Sequence, residues 1–218
     1  MKIPVVRDVL EESNALAEQN RGRLLSADVF TVNIMSSPGA GKTTLLQQTI
    51  RELQALGKHS GVIEGDITTT LDSERLAPLG VPVVQVNTQP FGGDCHVGAH
   101  LVQAALRHFD LPALDYLFIE NIGNLVCPAE FDLGEHRKVV VLSLPEGEDK
   151  PLKYPLMFRE CHLCLLNKID LLPYLDVDLR NLTANIRQIN GQLPVLPISA
   201  KTGDGLEAWI HWLLANRD

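Results

Sequence analysis

No apolar run in the sequence approaches the roughly 20 residues of a bilayer span. It also has no repeat array, low-complexity tract or disordered-type tail. Cysteine is scarce: Cys95, Cys127, Cys161 and Cys164 are the four in 218 residues, too few for a disulfide scaffold at this size. A reducing compartment is expected, so metal and redox roles have to be weighed for these thiols. Positive charge is in deficit, 19 Lys and Arg against 27 Asp and Glu, and the net charge of −8 argues against general nucleic-acid binding, which needs basic patches to meet phosphates. The opening stretch "MKIPVVRDVLEESNALAEQNRGRLL" is charged and amphipathic, unlike a signal peptide. A cytoplasmic address is the expectation, with no membrane and no nucleic acid among the partners.

What remains is an ordinary globular composition, 45% hydrophobic and 21% charged, long enough to bury a sizeable core. Residues 4–20 carry a loose apolar stripe that predicts a helix ended by "NRGR", so residues 1–27 are expected to be a helix and lead-in to a domain over 28–218. β-rich runs follow at 29–35, 60–66, 81–86, 116–121, 138–144, 161–168 and 193–199. Helical patterns fall at 43–56, 69–79, 96–109 and 205–217, the last with Leu206, Trp209, Ile210, Leu213 and Leu214 on one face as core. Strands alternating with helices imply an α/β fold with a mostly parallel central sheet flanked by helices. Several strands are apolar throughout, as when both sheet faces are covered.

"SSPGAGKTT" (36–44) follows a predicted strand and opens a predicted helix, the context of a P-loop NTPase. Gly39 and Gly41 let backbone N–H groups of the loop from Pro38 through Ala40 turn toward phosphate oxygens. Lys42 is placed for the β- and γ-phosphates, Thr43 for Mg2+, and Thr44 completes the loop. The pattern departs from the usual one at Ser36, where a glycine normally stands. Asp66 and Glu120 end two strands, and ligands of open α/β sheets sit beyond the carboxyl ends of strands, so both acids are expected to serve Mg2+ or its waters.

"NKID" (167–170) and "SAK" (Ser199, Ala200, Lys201) each end a strand. Asp170 is suited to accept hydrogen bonds from the ring N–H and exocyclic amine of guanine, which adenine does not offer there. The stem of Lys168 would lie over the ring, Asn167 would tie the loops together, and the backbone N–H of Ala200 would face the guanine carbonyl oxygen. GTP or GDP is therefore the expected nucleotide.

Cys95 and His96 adjoin one another in "GGDCHVGAH", where a helix start capped by Asp94 is expected; that placement favours thiolate, the form that binds metals. With Cys127 in the loop after Glu120, they offer two sulfurs and one imidazole, a set suited to Zn2+ or Ni2+. The alternative is two small buried residues. Three ligands leave a tetrahedral shell open, to be closed by water or by a second subunit. His100 is expected at the surface. Cys161 and Cys164 resemble a metal motif on paper, but a strand sends residues three apart to opposite faces, so both are expected in the core.

In order, "SSPGAGKTTLL", "EGD", "CH" before a helix, "ENIGNLVCP", "KYPLMF" and "NKIDLLP" resemble the hydrogenase/urease nickel-incorporation GTPases over roughly residues 30–205. The hydrogenase branch is the nearer: the urease branch has Cys-Pro-His where this chain has Cys95-His96 and lacks a cysteine in "ENIGNLVCP". The resemblance implies a dimerising P-loop GTPase with slow hydrolysis and a homodimer favoured by GTP and metal. It further implies nickel delivery to the [NiFe]-hydrogenase large subunit alongside a HypA-like zinc/nickel chaperone. It places the shared metal site on Cys95, His96 and Cys127, and marks Lys153 as a lysine that approaches nucleotide at the dimer interface. Many bacterial members carry an N-terminal Cys-rich or His-rich nickel segment; here the first cysteine is residue 95 and the seven histidines are scattered. A urease client, a regulatory GTPase with structural cysteines, and a small-molecule kinase remain as rivals.

Overall fold

The computed structural model describes residues 7–66, 71–88 and 95–217. Its centre is a seven-stranded sheet in the order β3-β2-β4-β1-β5-β6-β7, with every pairing parallel. The strands are β1 (Phe30–Ser36), β2 (Ser60–Asp66), β3 (Val83–Asn87), β4 (Tyr116–Glu120), β5 (Arg137–Ser143), β6 (Leu163–Asn167) and β7 (Val195–Pro197). The helices are α1 (Arg7–Ser26), α2 (Lys42–Ala55), α3 (Leu71–Leu76), α4 (Ala99–Ala105), α5 (Cys127–Glu130), α6 (Lys150–Lys153), α7 (Pro155–Glu160), α8 (Leu179–Ile189) and α9 (Leu206–Arg217).

Period-2 alternation sorts the sheet into two buried faces. Val139 and Val141 of β5 join Leu45 and Ile50 of α2 and Trp209 and Leu213 of α9 in one core. Val140 and Leu142, pointing the other way, pack with Met157 and Phe158 of α7 and Leu182 and Ile186 of α8. Leu24 of α1 and Val102 of α4 cover Ile63, Leu117 and Ile119 on that same second face. Trp209 is fully buried and donates its indole N–H to Thr49 Oγ1 at 2.8 Å, while Trp212 packs at the margin of the core.

Two helix boundaries differ from the sequence pattern. α1 does not end at "NRGR" but continues to Ser26, the expected residues 4–6 lying outside the described ones. Tertiary contacts outweigh the poor helix propensity of Gly22. Asn20 donates to the carbonyls of Ala99 and Leu133, Arg21 to Glu135 O and Asp132, and Leu24 is fully buried. α4 begins at Ala99 with Gly98 as its N-cap, not at Cys95 with Asp94 as cap. Asp94 lies outside the described residues, as do Gly92 and Gly93. Cys161 also precedes β6, leaving α7 in an extended conformation, so the strand begins at Leu163 rather than at 161.

Candidate functional site: a phosphate cradle joined to a cysteine-bearing loop

β1 ends at Ser36 and α2 begins at Lys42, so the P-loop turns at the carboxyl edge of the sheet, where α2 presents its free N–H groups. Gly41 caps α2 with φ at 101°, a left-handed conformation that favours glycine, and a Cβ there would stand 2.5 Å from Asn167 Nδ2. Lys42 is buried and donates to Ser36 Oγ at 3.0 Å. The serine that departs from the usual glycine thus supplies a hydroxyl acceptor for the P-loop lysine. Burial lowers the Lys42 pKa against the pull of nearby acids, Glu120 foremost. Thr44 accepts from Arg75 Nη2 at 3.0 Å, and Pro38 and Gly39 are exposed.

Thr43 Oγ1 donates to Glu120 Oε1 at 2.7 Å. In the β2–β4 register Glu64 stands directly beside Glu120, and Asp66 lies two residues further along the same face as Glu64. Glu64 and Glu120 are 2% and 3% exposed, and each keeps one buried oxygen, Oε2, without a hydrogen-bond partner. Burial and the repulsion of Glu120, Asp66 and Asp72 push Glu64 up to about 8. Burial pushes Glu120 up to about 7, against Lys42 and the Thr43 hydroxyl. These acids, Lys42, Gly39 and Gly123 line a cavity of about 260 Å³. Two orphaned carboxylate oxygens beside a threonine hydroxyl fit a hard divalent cation. Glu64 was not singled out in the sequence; the signal was a lone acid inside the apolar run "SGVIEGD", two residues before Asp66.

On the other flank, Asn167 is buried and bridges two loops: Nδ2 donates to Ala40 O at 2.8 Å and Oδ1 accepts from Ala200 N–H at 2.9 Å. Ala200 N–H, expected to face guanine, is therefore engaged by Asn167. Lys168 adopts φ 66° and donates to Gly39 O at 2.7 Å, which lays its stem across the mouth of the P-loop. Ser199 Oγ donates to Asp170 Oδ1 at 2.7 Å, fixing the carboxylate, while Lys201 is exposed. Lys153, on α6, is exposed and pairs with Asp149 one turn away.

The segment from Glu120 to Phe131 carries the remaining candidates. Gly123 lets this loop lie on the P-loop: a Cβ there would be 2.9 Å from Pro38 Cα. Cys127 opens α5 and is half-buried; Cys95 is exposed and His96 half-buried. Asn124 Nδ2 donates to Cys95 O at 3.3 Å, and the His96 ring stacks on Phe131 with centroids 4.0 Å apart. The loop therefore holds the Cys95–His96 segment from both sides of Cys127. Among the described residues, no three His, Cys, Asp or Glu side chains stand close enough to hold a metal. Among the described residues, neither the acid set nor the thiol–imidazole set is closed. His100 is exposed. Cys161 and Cys164 are buried with Met157 and Leu166, and burial pushes both thiols up, as suits core residues. No helix among the described residues is long and apolar enough to cross a membrane.

Comparison with known proteins points to one family. Residues 30–197 match the family "CobW/HypB/UreG, nucleotide-binding domain". The hydrogenase maturation factor HypB of Escherichia coli K12 is 48% identical over 210 residues, covering 96% of this chain and 71% of that protein. The crystal structure of HypB from Helicobacter pylori in complex with nickel superposes with a TM-score of 0.88 at 32% identity, covering 94% of this chain and 95% of that one. HypB from Archaeoglobus fulgidus superposes at 0.87 and 35% identity, covering 96% and 100%. A nucleotide cradle sharing one loop with a cysteine, together with this near full-length likeness, places the chain in the HypB family of hydrogenase maturation factors.

Proposed function

We propose that this chain is a GTP-hydrolysing metallochaperone that carries nickel toward the [NiFe]-hydrogenase large subunit, working in the cytoplasm as a homodimer with a HypA-like zinc/nickel chaperone. The observation that carries the reading is the loop 120–131. At one end Glu120 bonds Thr43 of the phosphate cradle, at the other Cys127 opens α5, and between and beyond them Asn124 and Phe131 hold Cys95 and His96.

The chain's own groups divide the work. The P-loop N–H groups and Lys42 bind the phosphates, and Asp170, held by Ser199, selects guanine. Thr43, Glu120, Asp66 and Glu64 would hold Mg2+, which supplies charge neutralisation of the phosphates when bound. Cys95, His96 and Cys127 receive the cargo metal, nickel, or zinc in its place. Two sulfurs and one imidazole leave a tetrahedral shell open, and a second copy is the source of the remaining ligand. Lys153, exposed on α6, is offered to nucleotide across that interface.

The test is the Ni2+ affinity of the purified protein with GDP and with a slowly hydrolysed GTP analogue. Different affinities are expected, and by linkage nickel must then shift nucleotide affinity by the same factor. Equal affinities in both states would remove the coupling. Cys127→Ala should weaken Ni2+ binding while GTP hydrolysis persists; loss of GTP binding instead would make the cysteine part of the nucleotide fold.

A further inference from the structure

Three buried polar side chains run from the wall of the phosphate cradle, where Asn121 lines the cavity beside Glu120, back behind it. Asn33, Asn121 and Glu135 are 0%, 1% and 5% exposed. They form one line of hydrogen bonds. Asn121 Oδ1 accepts from two backbone N–H groups, Val97 at 3.0 Å and Ile122 at 2.9 Å. Asn121 Nδ2 donates to Asn33 Oδ1 at 3.2 Å, and Asn33 Nδ2 donates to Glu135 Oε1 at 3.2 Å. Glu135 Oε2 accepts the Leu133 N–H at 2.7 Å, and Lys138 Nζ stands 3.9 Å from Glu135 Oε1.

The direction of this line is dictated from its Asn121 end. Backbone N–H groups only donate, so Asn121 must turn its oxygen toward Val97 and Ile122 and its NH2 toward Asn33. With its oxygen taken by the Asn121 NH2, Asn33 is left to turn its own NH2 toward Glu135, whose Oε1 accepts. Reversing Asn121 would set its NH2 against two backbone N–H groups, so the orientation of both amides follows from that end.

At its Asn121 end the line adjoins Glu120, which bonds Thr43, and holds Val97, the residue after the Cys95–His96 pair. We infer that Asn121 is a positioning residue that couples the nucleotide switch to the metal-binding segment, gripping Val97 while Asn33 and Glu135 fix its own orientation. The inference rests on the function proposed above and deepens it. The covalent path from Glu120 to Cys127 is a loop and has slack, whereas the Asn121–Val97 bond joins the two segments directly. Releasing Val97 would strand a buried N–H, so displacement of the backbone after Glu120 carries the Cys95–His96 segment with it. Val97 is also pressed onto the acid-bearing strand, because a Cβ on Gly65 would stand 2.3 Å from Val97 Cγ2.

The experiment measures Ni2+ affinity of the full chain with GDP and with a slowly hydrolysed GTP analogue, for the unmodified protein, Asn121→Ala, Asn121→Asp, and Asn121→Asp combined with Glu135→Gln. Couplings between sites ordinarily amount to about 5–150-fold, and in Asn121→Ala the ratio of the two affinities is expected to fall to within about twofold of one, with GDP still bound. Asn121→Asp keeps the acceptor for Val97 but sets oxygen against oxygen at Asn33, and loses the ratio too. Adding Glu135→Gln lets Asn33 reverse: it then donates to residue 121 and accepts from residue 135, and the ratio returns. A residue that served folding alone would leave the ratio intact in every variant that folds. Equal affinities in the unmodified protein would overturn the proposed function itself. A ratio present in the unmodified protein and retained in both Asn121 variants would overturn the positioning role and leave the function standing. Should Asn121→Ala not fold, the Asp and Asp/Gln pair decides; a double variant that folds no better than the single one, or does not regain the ratio, refutes the line of bonds.

Discussion

Asn167 offers a quantitative check on how the nucleotide site is held. Its amide spans two loops, donating to Ala40 O and accepting from Ala200 N–H, and Ala40 and Ala200 are 1% and 2% exposed. Asn167→Ala leaves both backbone groups unpaired, and a buried unsatisfied group costs about 1–3 kcal/mol. Water entering from the open nucleotide side recovers part of this, so the expected loss is near the lower end, about 2–3 kcal/mol for the two together. Gly41 supplies the control. Gly41→Ala places a Cβ 2.5 Å from Asn167 Nδ2 at a φ of 101°, so it pays for both a clash and a left-handed backbone. In the Asn167→Ala background the clash vanishes and only the backbone term survives. The double variant should therefore be less destabilised than the sum, by an interaction of about 0.5–3 kcal/mol. Urea unfolding of the four proteins gives the cycle, and a GDP titration of each reports whether the loops still form the pocket. Strict additivity, or an Asn167→Ala protein as stable as the parent, would refute the bridge.

Four further outcomes are expected. Glu64→Gln should stabilise the nucleotide-free, metal-free protein at pH 8 and weaken Mg2+-dependent nucleotide binding, because it removes a buried carboxylate whose pKa stands at about 8; thermal melts in chelator and nucleotide titrations with Mg2+ read the two effects. The same melts on the parent should show Tm falling between pH 6.5 and about 8. Glu64 and Glu120 have folded pKa values above the ordinary 4.5, so their stabilising protonation is lost as pH rises through about 7 and 8. His136 and His162, held below 6.5 by burial, act in the opposite sense but only beneath that pH. A flat profile in that window would contradict the buried state of the acids. Gly65→Ala should cost about 1–3 kcal/mol, since its Cβ meets Val97 Cγ2 at 2.3 Å and Glu120 O at 3.1 Å, and should weaken Ni2+ binding by displacing Val97; unchanged melting and Ni2+ titration would show the contact to be slack. Lys153→Ala should leave Tm unchanged, because its partner Asp149 lies on the same exposed turn, so a loss of GTP hydrolysis in that variant would report contact with a second copy.

What the sequence discloses and what it withholds divide along physical lines. The P-loop, "NKID" and "SAK" are legible because each is a short run at a strand end, where residue type and local turn chemistry settle the geometry. The alternation that sends Val139 and Val141 to one face and Val140 and Leu142 to the other is likewise local. The pairing of Glu64 with Glu120 is not, since it depends on the register of β2 against β4 across 56 residues of chain, and the reading stopped at Asp66. The length of α1 is withheld for a similar reason. Its last turn is decided by Asn20, Arg21 and Leu24 meeting the 99–135 region, not by the propensities of "NRGR". At α4 a single local signal misled: Asp94 is a good cap by type, yet the helix starts after Gly98, so the helix-dipole argument for a Cys95 thiolate loses its footing.

That loss changes the argument for metal binding rather than removing it. A helix N-terminus would have tuned Cys95 alone. The structure instead places the exposed Cys95 and the half-buried His96 on a bend pinned by Asn124 and Phe131, residues of the loop that also bears Cys127 and Glu120. In the coupling proposed above, position rather than pKa is what nucleotide would change. A thiol whose reactivity came from its own helix would respond weakly to movement elsewhere, whereas a pair held from outside must follow whatever holds it.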